Sequence, residues 1–419
     1  MDNRKDTGIH TLETIYGADW AVQKPRYQHC YAGFTEIYGN RTARFFSAPG
    51  RTEVGGNHTD HNHGKVLAAG VSLDVIAAAA ATTDNIIEIQ SEFFPRDRVD
   101  LARLDPSALE INTSAALIRG VAAAFKDRGY KIGGFRAFTT SSVLKGSGLS
   151  SSAAFEVLVA NILNRLYNNG AVSAVEIAQI AQYAENRFFG KPSGLMDQMA
   201  SSVGGFITID FADPTAPVIE EINFDFARSG HRLCIVDTKG SHADLTPEYA
   251  AIPEEMKSVA RFFGKNFLSE LTRDDVVENI AKLRAKCSDR AVLRALHFFD
   301  DNDRVTAESH ALRKGNFDEF LRLVRASGNS SCKYLQNVFS AANPREQGVS
   351  LALYTAKSVL CGRGAYRVHG GGFAGTIQAF VPVDLISEFI ARMDAVFGKG
   401  SCHVLSIRPV GGTEVAITL

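Results

Sequence analysis

Apolar residues along this chain switch repeatedly between a spacing of three to four and a spacing of two, the periods of helix and strand. Up to residue 40 they mix with charges at near-helical spacing, with Arg26-Tyr27, Phe34 and Tyr38 ahead of a Gly39-Asn40 stop, which predicts a helical lead-in. Residues 42–48 (TARFFSA) read as a strand that Pro49-Gly50 breaks, followed by a glycine- and histidine-rich loop from Arg51 to Gly64. An apolar run from Val66 to Ala81 comes next, then a strand over 86–90, a helix over 114–126 and a strand over 135–141. Helical spacing returns over 153–167 and 174–187 and leads into 195–202, while 205–211 alternates like a strand. The second half predicts a strand at 233–237 and several helices between 253 and 325. It closes with helix 348–360, strands 366–369 and 376–382, helix 384–397 and two terminal strands. This order predicts an α+β protein whose second half is a sandwich with helices on one face. Asp213-Pro214-Thr215-Ala216-Pro217 reads as the connection between an N-terminal domain, 1–215, and a C-terminal domain, 216–419.

Composition narrows the classes. The 419 residues suffice for two or three domains with a sizeable core. Forty-five Lys+Arg against 46 Asp+Glu leave a net charge of −1, so no global field holds the chain on nucleic acid or an anionic membrane, and a bound anion must be held locally. Six cysteines without a C-x-x-C pair suggest neither a disulfide framework nor a thiolate zinc site and fit a reducing cytoplasm. The stretch Met1 to Asp6 lacks an apolar signal segment, and the run from Val66 to Ala81 is too short for a bilayer and carries Asp74, so neither secretion nor membrane insertion is expected. No heptad run or interface segment marks a protein partner.

Several stretches could carry chemistry. Gly146-Ser147-Gly148-Leu149-Ser150-Ser151-Ser152 feeds a helix N-terminus, where free N–H groups and the helix dipole favour phosphate; it lacks the Gly-Lys-Ser/Thr ending of a Walker A loop, and alone it reads equally as a capped helix start. Glu185 and Asp197 flank a Gly/Pro break, so two acids on neighbouring elements could face one pocket, one for a metal and one for a hydroxyl, although singly each reads as a solvated surface acid. His58-Thr59-Asp60-His61-Asn62-His63 is open to three readings: a metal site of N and O ligands, a polar loop without chemistry, or a clamp for sugar hydroxyls. Arg51 could stabilise phosphoryl charge or pair with a surface acid, and the glycine run Gly370 to Gly375 could be a hairpin loop or a wall over an active site.

Taken in order, these segments resemble the galactokinases of the GHMP kinase family. Ser47-Ala48-Pro49-Gly50-Arg51 with Gly56-Asn57-His58-Thr59-Asp60-His61-Asn62-His63-Gly64 is similar to the family's sugar signature, and Gly146 to Ala153 to its phosphate loop. Pro192-Ser193-Gly194-Leu195-Met196-Asp197-Gln198 resembles the galactokinase catalytic segment, and Gly370 to Gly375 a third motif, so the resemblance runs from about Tyr27 to the C-terminus. It implies a two-lobed α+β fold with the active site in the inter-domain cleft, and ATP-dependent phosphorylation of the C1 hydroxyl of galactose. It also implies Asp197 at that hydroxyl, Arg51 near it and the γ-phosphate, Ser151 and Glu185 on Mg²⁺, and Gly146, Ser147, Gly148, Leu149, Ser150, Ser151 and Ser152 around the ATP phosphates. His58, Asp60, the Gly194 backbone and Tyr249 would contact sugar hydroxyls, with galactose and ATP as small-molecule partners.

Three departures stand out. Asn57 replaces the usual Glu that contacts the C6 hydroxyl, His61 the usual Tyr, and Ser193 a common Cys. Loss of a carboxylate beside C6 removes a repulsion worth about 1 kcal/mol in water and about 4 at intermediate dielectric at 4 Å, which makes galacturonate a second acceptor to consider. Asn57 can equally hydrogen-bond a neutral C6 hydroxyl, so galactose comes first. A non-catalytic galactose sensor would have a shortened phosphate loop, and mevalonate or homoserine kinases lack the His-Thr-Asp signature; a metal-dependent hydrolase would rest on the histidine loop alone.

Overall fold

The computed structural model describes residues 8–143, 148–240 and 245–419. In chain order the strands are β1 (Ile9–Thr11), β2 (Arg44–Gly55), β3 (Lys65–Ala81), β4 (Ile86–Ser91), β5 (Asp97–Asp100), β6 (Phe135–Ser141), β7 (Phe206–Asp210), β8 (Val218–Ile222), β9 (His231–Asp237), β10 (Ala365–Val368), β11 (Thr376–Pro382), β12 (Cys402–Leu405) and β13 (Thr413–Ala416). A nine-stranded sheet runs β1-β13-β2-β3-β6-β4-β5, with β7 pairing β3 and β8 pairing β7; a four-stranded antiparallel sheet runs β10-β11-β9-β12. The first sheet thus takes strands from both ends of the chain.

The 17-residue strand β3 is the spine of the large sheet: Lys65 to Ala69 pair with β7, Val75 to Ala81 with β6, and β2 lies along its other edge. Its alanine-rich sequence has good helix propensity, and tertiary packing overrides it. Ile76, Ala78 and Ala80 pack with Tyr27, Cys30 and Phe34 of the helix Trp20–Tyr38, whereas Val75, Ala77 and Ala79 share a core with Val157, Leu158 and Ile162 of the helix Ser151–Tyr167. Burial of both faces explains the lack of polar alternation. The one acid in the run, Asp74, is fully buried and accepts from Arg26 (2.8 Å), Arg408 (3.0 Å), Ser47 (2.5 Å) and Tyr16. Burial pushes its carboxyl up, but the two guanidiniums and the hydroxyls outweigh that and hold it below the usual carboxylate range.

Elsewhere the structure departs from the sequence expectations. Pro49-Gly50 does not end a strand: β2 continues to Gly55, with register shifts between Pro49 and Arg51 and between Glu53 and Gly55. A proline lacks the N–H for a ladder but is tolerated at a bulge, and the bulge re-aims the residues after it. The helix expected over 174–187 is α-helical only to Ala184, and Glu185–Phe189 forms one wider π turn. β5 and β8 had no apolar alternation to announce them, and the helix Thr246–Phe262 begins ahead of Pro253, which it carries inside. Helices cover both faces of the four-stranded sheet. Leu233 and Ile235 of β9 share a core with Phe320 and Val324, while Cys234 and Val236 pack with Ala352, Ala356 and Phe389. Among the described residues, no helix is long and apolar enough to cross a membrane.

Candidate active site

The bulge in β2 delivers Arg51 to the phosphate-loop segment. Its backbone N–H donates to the Leu149 carbonyl at 3.1 Å, and a Cβ on Gly50 would stand 2.8 Å from that same oxygen, so only glycine allows the approach. Arg51 Nε donates to Asp197 Oδ1 at 2.6 Å, and its Nη1 donates to the Gly148 carbonyl. Asp197 lies in the first turn of the helix Met196–Val203, and its other oxygen accepts from Ser150 Oγ. Ser150 has φ +56°, a left-handed conformation unusual for a residue with a Cβ, immediately before the helix Ser151–Tyr167 begins. Burial would raise the Asp197 carboxyl, but the Arg51 charge and the bonds from Arg51 and Ser150 prevail and hold it below the ordinary range. Asp197 is therefore an ionised carboxylate that keeps some exposure, 22% against 9% for Arg51.

The histidine loop and the glycine run close on each other. His58 Nε2 lies 3.0 Å from the Gly371 carbonyl, which can only accept, so Nε2 carries the proton and Nδ1 is the ring's acceptor. Burial, aided by His61, lowers the His58 pKa to about 4, so the ring is neutral at pH 7. The Tyr249 hydroxyl donates to the Gly372 carbonyl at 3.1 Å, and a Cβ on Gly371 would sit 2.6 Å from the Tyr249 ring. Asp60 Oδ2 is 3.1 Å from where a Cβ of Gly194 would stand. His58, Asp60, Gly194 and Tyr249 are thereby linked through the loop and the glycine run. The histidines do not converge on a metal: His61 is 3.8 Å from Asp60, His63 stacks on Phe267 at 3.7 Å, and among the described residues no group of three or more His, Cys, Asp or Glu could hold one.

Asn57 is elsewhere. It is fully buried, with Nδ2 donating to Glu53 Oε1 and the Gly370 carbonyl at 2.8 Å each and Oδ1 accepting from Asn337 at 2.8 Å and Ser331 at 3.3 Å. Both amide hydrogens and both lone pairs are committed within the protein. The cause is Glu53, whose carboxyl is pushed up to about 7 by burial and requires the donors that Asn57 and Arg367 supply.

Glu185 sits in the π turn and is 1% exposed, accepting from Ser152 (3.0 Å), Lys191 (2.9 Å), Ser193 (2.6 Å) and Gln198 (2.7 Å). The hydroxyl that reaches Glu185 belongs to Ser152, while Ser151 opens the helix partly buried. Gly148, at φ +73°, and buried Leu149 stand between Arg51 and Ser150, whereas Gly146 and Ser147 lie outside the described residues. Three neighbours escaped the sequence reading. Glu156 is fully buried and forced well above the usual carboxylate range by burial and by Glu185; one of its oxygens accepts from Gln198 at 3.3 Å and the other has no partner. Its signal was the spacing of four from Ser152, one helix face. Gln198 beside Asp197 and Lys191 between Gly190 and Pro192 carried no signal beyond their neighbours. A hard oxygen donor set with a cation already standing on Glu185 Oε1 fits a magnesium ion.

Two family models match the chain: the galactokinase galactose-binding signature over residues 32–81 and the GHMP kinases N terminal domain over residues 116–205. A galactokinase from Streptomyces coelicolor is 29% identical over 387 residues, covering 91% of this chain and 96% of its own. One from Actinobacillus pleuropneumoniae is 30% identical over 356 residues, covering 83% and 88%. The crystal structure of Lactococcus lactis galactokinase complexed with galactose superposes with a TM-score of 0.76 at 25% identity over 91% of this chain and 98% of that one. Methanococcus jannaschii mevalonate kinase, at 13% identity and a TM-score of 0.62, shares the fold. With the motifs, the fold and these relatives in agreement over most of its length, the chain belongs to the galactokinase family of GHMP kinases.

Proposed function

We propose that the protein transfers the γ-phosphoryl group of ATP to the C1 hydroxyl of galactose. The observation that carries this is the Arg51–Asp197 pair at 2.6 Å, joined to the phosphate-loop segment through Gly148 and Ser150. The new bond joins the C1 oxygen to the γ-phosphorus, the bond to the bridging oxygen of ADP breaks, and the hydroxyl proton passes to Asp197. A loose transition state asks for alignment and charge more than for early deprotonation, so a carboxylate kept ionised by Arg51 suits late proton acceptance. The N–H groups at the start of the helix Ser151–Tyr167 favour the phosphates. On the sugar side, His58 Nδ1 and Asp60 accept from hydroxyls, with the Gly194 backbone and Tyr249 completing the contacts.

Mg²⁺ would be held by Glu185 with a hydroxyl of Ser152 or Ser151, and when bound it neutralises charge on the phosphates. Residues 1–215 and 216–419 make the two lobes in this reading, with β8 and β13 returned to the first lobe's sheet. A cytoplasmic location, where ATP and six free thiols are at home, belongs to the same proposal. The absence of a carboxylate at position 57 keeps galacturonate as the second acceptor of this reading. The test is ADP release with Mg²⁺ and ATP against galactose, galacturonate, galactosamine and N-acetylgalactosamine: a galactose preference is expected, and silence on galactose overturns the reading.

A further inference from the structure

Lys191 is half exposed, at 53%, yet its ammonium rests 2.9 Å from Oε1 of a carboxylate that is 1% exposed. Three other groups already serve Glu185: Ser193 and Gln198 both donate to Oε2, and Ser152 donates to Oε1. Oε1 is thus the oxygen that receives the cation, alongside the Ser152 hydroxyl that also donates to it. The backbone here is tight: Gly190 has φ +88° and its N–H, like that of Lys191, returns to the Glu185 carbonyl at 3.1 and 3.2 Å. The lysine backbone is therefore anchored beside the acid, and its half-exposed side chain can still swing away. The charge also reaches Asp197 and Glu156, where it favours the ionised forms. One place on one oxygen cannot hold an ammonium and a divalent ion together.

Resting on the kinase reading above, we propose that Lys191 is a resident counter-ion of Glu185 that is exchanged for the divalent metal, so that this lysine sets how tightly the protein takes its metal. In the metal-free protein it balances an otherwise buried anion, and when the metal arrives the ammonium withdraws to solvent. Lys191 acts through Glu185 and is a positioning residue.

The test is Mn²⁺ binding to the full-length, nucleotide-free protein, followed by the electron paramagnetic resonance of free Mn²⁺. Lys191→Met removes the competing charge and is expected to bind Mn²⁺ about fivefold more tightly than wild type, while Lys191→Arg binds no more tightly than wild type. Glu185→Gln in the Lys191→Met background is expected to abolish the gain. Thermal melting of each variant confirms the fold before comparison. Equal or weaker binding by Lys191→Met, or a gain that survives Glu185→Gln, overturns the exchange. ADP release by wild type in the presence of galactose is read separately, so failure of the kinase reading is distinguishable from failure of the exchange.

Discussion

Restoring the usual acid at position 57 should damage the protein before it alters the acceptor. In Asn57→Glu the two amide hydrogens disappear, and a second carboxyl is set against Glu53 Oε1 and the Gly370 carbonyl, both now 2.8 Å from Asn57 Nδ2. Two carboxylates about 4 Å apart repel by about 4 kcal/mol at an effective dielectric of 20, and the Gly370 carbonyl left without its donor costs about 1–3 kcal/mol, while Glu53 Oε1 keeps the Arg367 guanidinium. These costs overlap, because protonating one acid relieves the repulsion, so the net loss is about 4–5 kcal/mol and the melting temperature falls by roughly 5–10 °C. The sign with pH follows from the same cause. A buried acid whose folded pKa is raised takes up protons in the fold, so the deficit grows as pH rises and shrinks on acidification to about pH 5.5. Asn57→Ala loses the bonds without adding charge and should lose less. Differential scanning calorimetry at two pH values measures all of this. A Glu variant that melts with the wild type, or whose deficit is independent of pH, refutes the assignment of Asn57 to the buried network.

Two further outcomes follow from the same geometry. Arg51→Met removes the charge that outweighs burial at Asp197, so kcat with galactose should fall about 10²–10³-fold and the acidic limb of the pH–rate profile should move to higher pH; an unshifted limb counts against the pair. His58 has its pKa lowered from 6.5 to about 4, so the unfolded chain protonates first and stability should decline as pH falls through that window, a slope that His58→Gln should flatten in urea titrations.

How much of this was legible in the sequence depended on whether a residue's role is local. The helix starting at Ser151 and the acid in the first turn of Met196–Val203 follow from nearby glycines and apolar spacing, and Arg51, Asp197 and Ser150 do assemble. What was hidden depends on contacts remote in sequence. Asn57 looked like a pocket residue because it stands where the resembling family has the Glu that contacts C6, and only the arrival of Ser331, Asn337 and Gly370, about 270 to 310 positions on, shows that its amide is spent inside. Pro49-Gly50 looked like a stop because local rules read it so, whereas the β2–β3 pairing absorbs it as a bulge. Glu156 lay in an amphipathic helix, and its burial beside Glu185 depends on how helices pack around the phosphate-loop segment.

The measurement that decides most is the identity of the product. With Mg²⁺, ATP and galactose, ³¹P-coupled ¹H NMR should show phosphate on the anomeric carbon, and Asp197→Asn should abolish that signal while still binding ATP. Phosphate on another hydroxyl, or an Asp197→Asn variant that makes the same product at the wild-type rate, contradicts the role given to the Arg51–Asp197 pair.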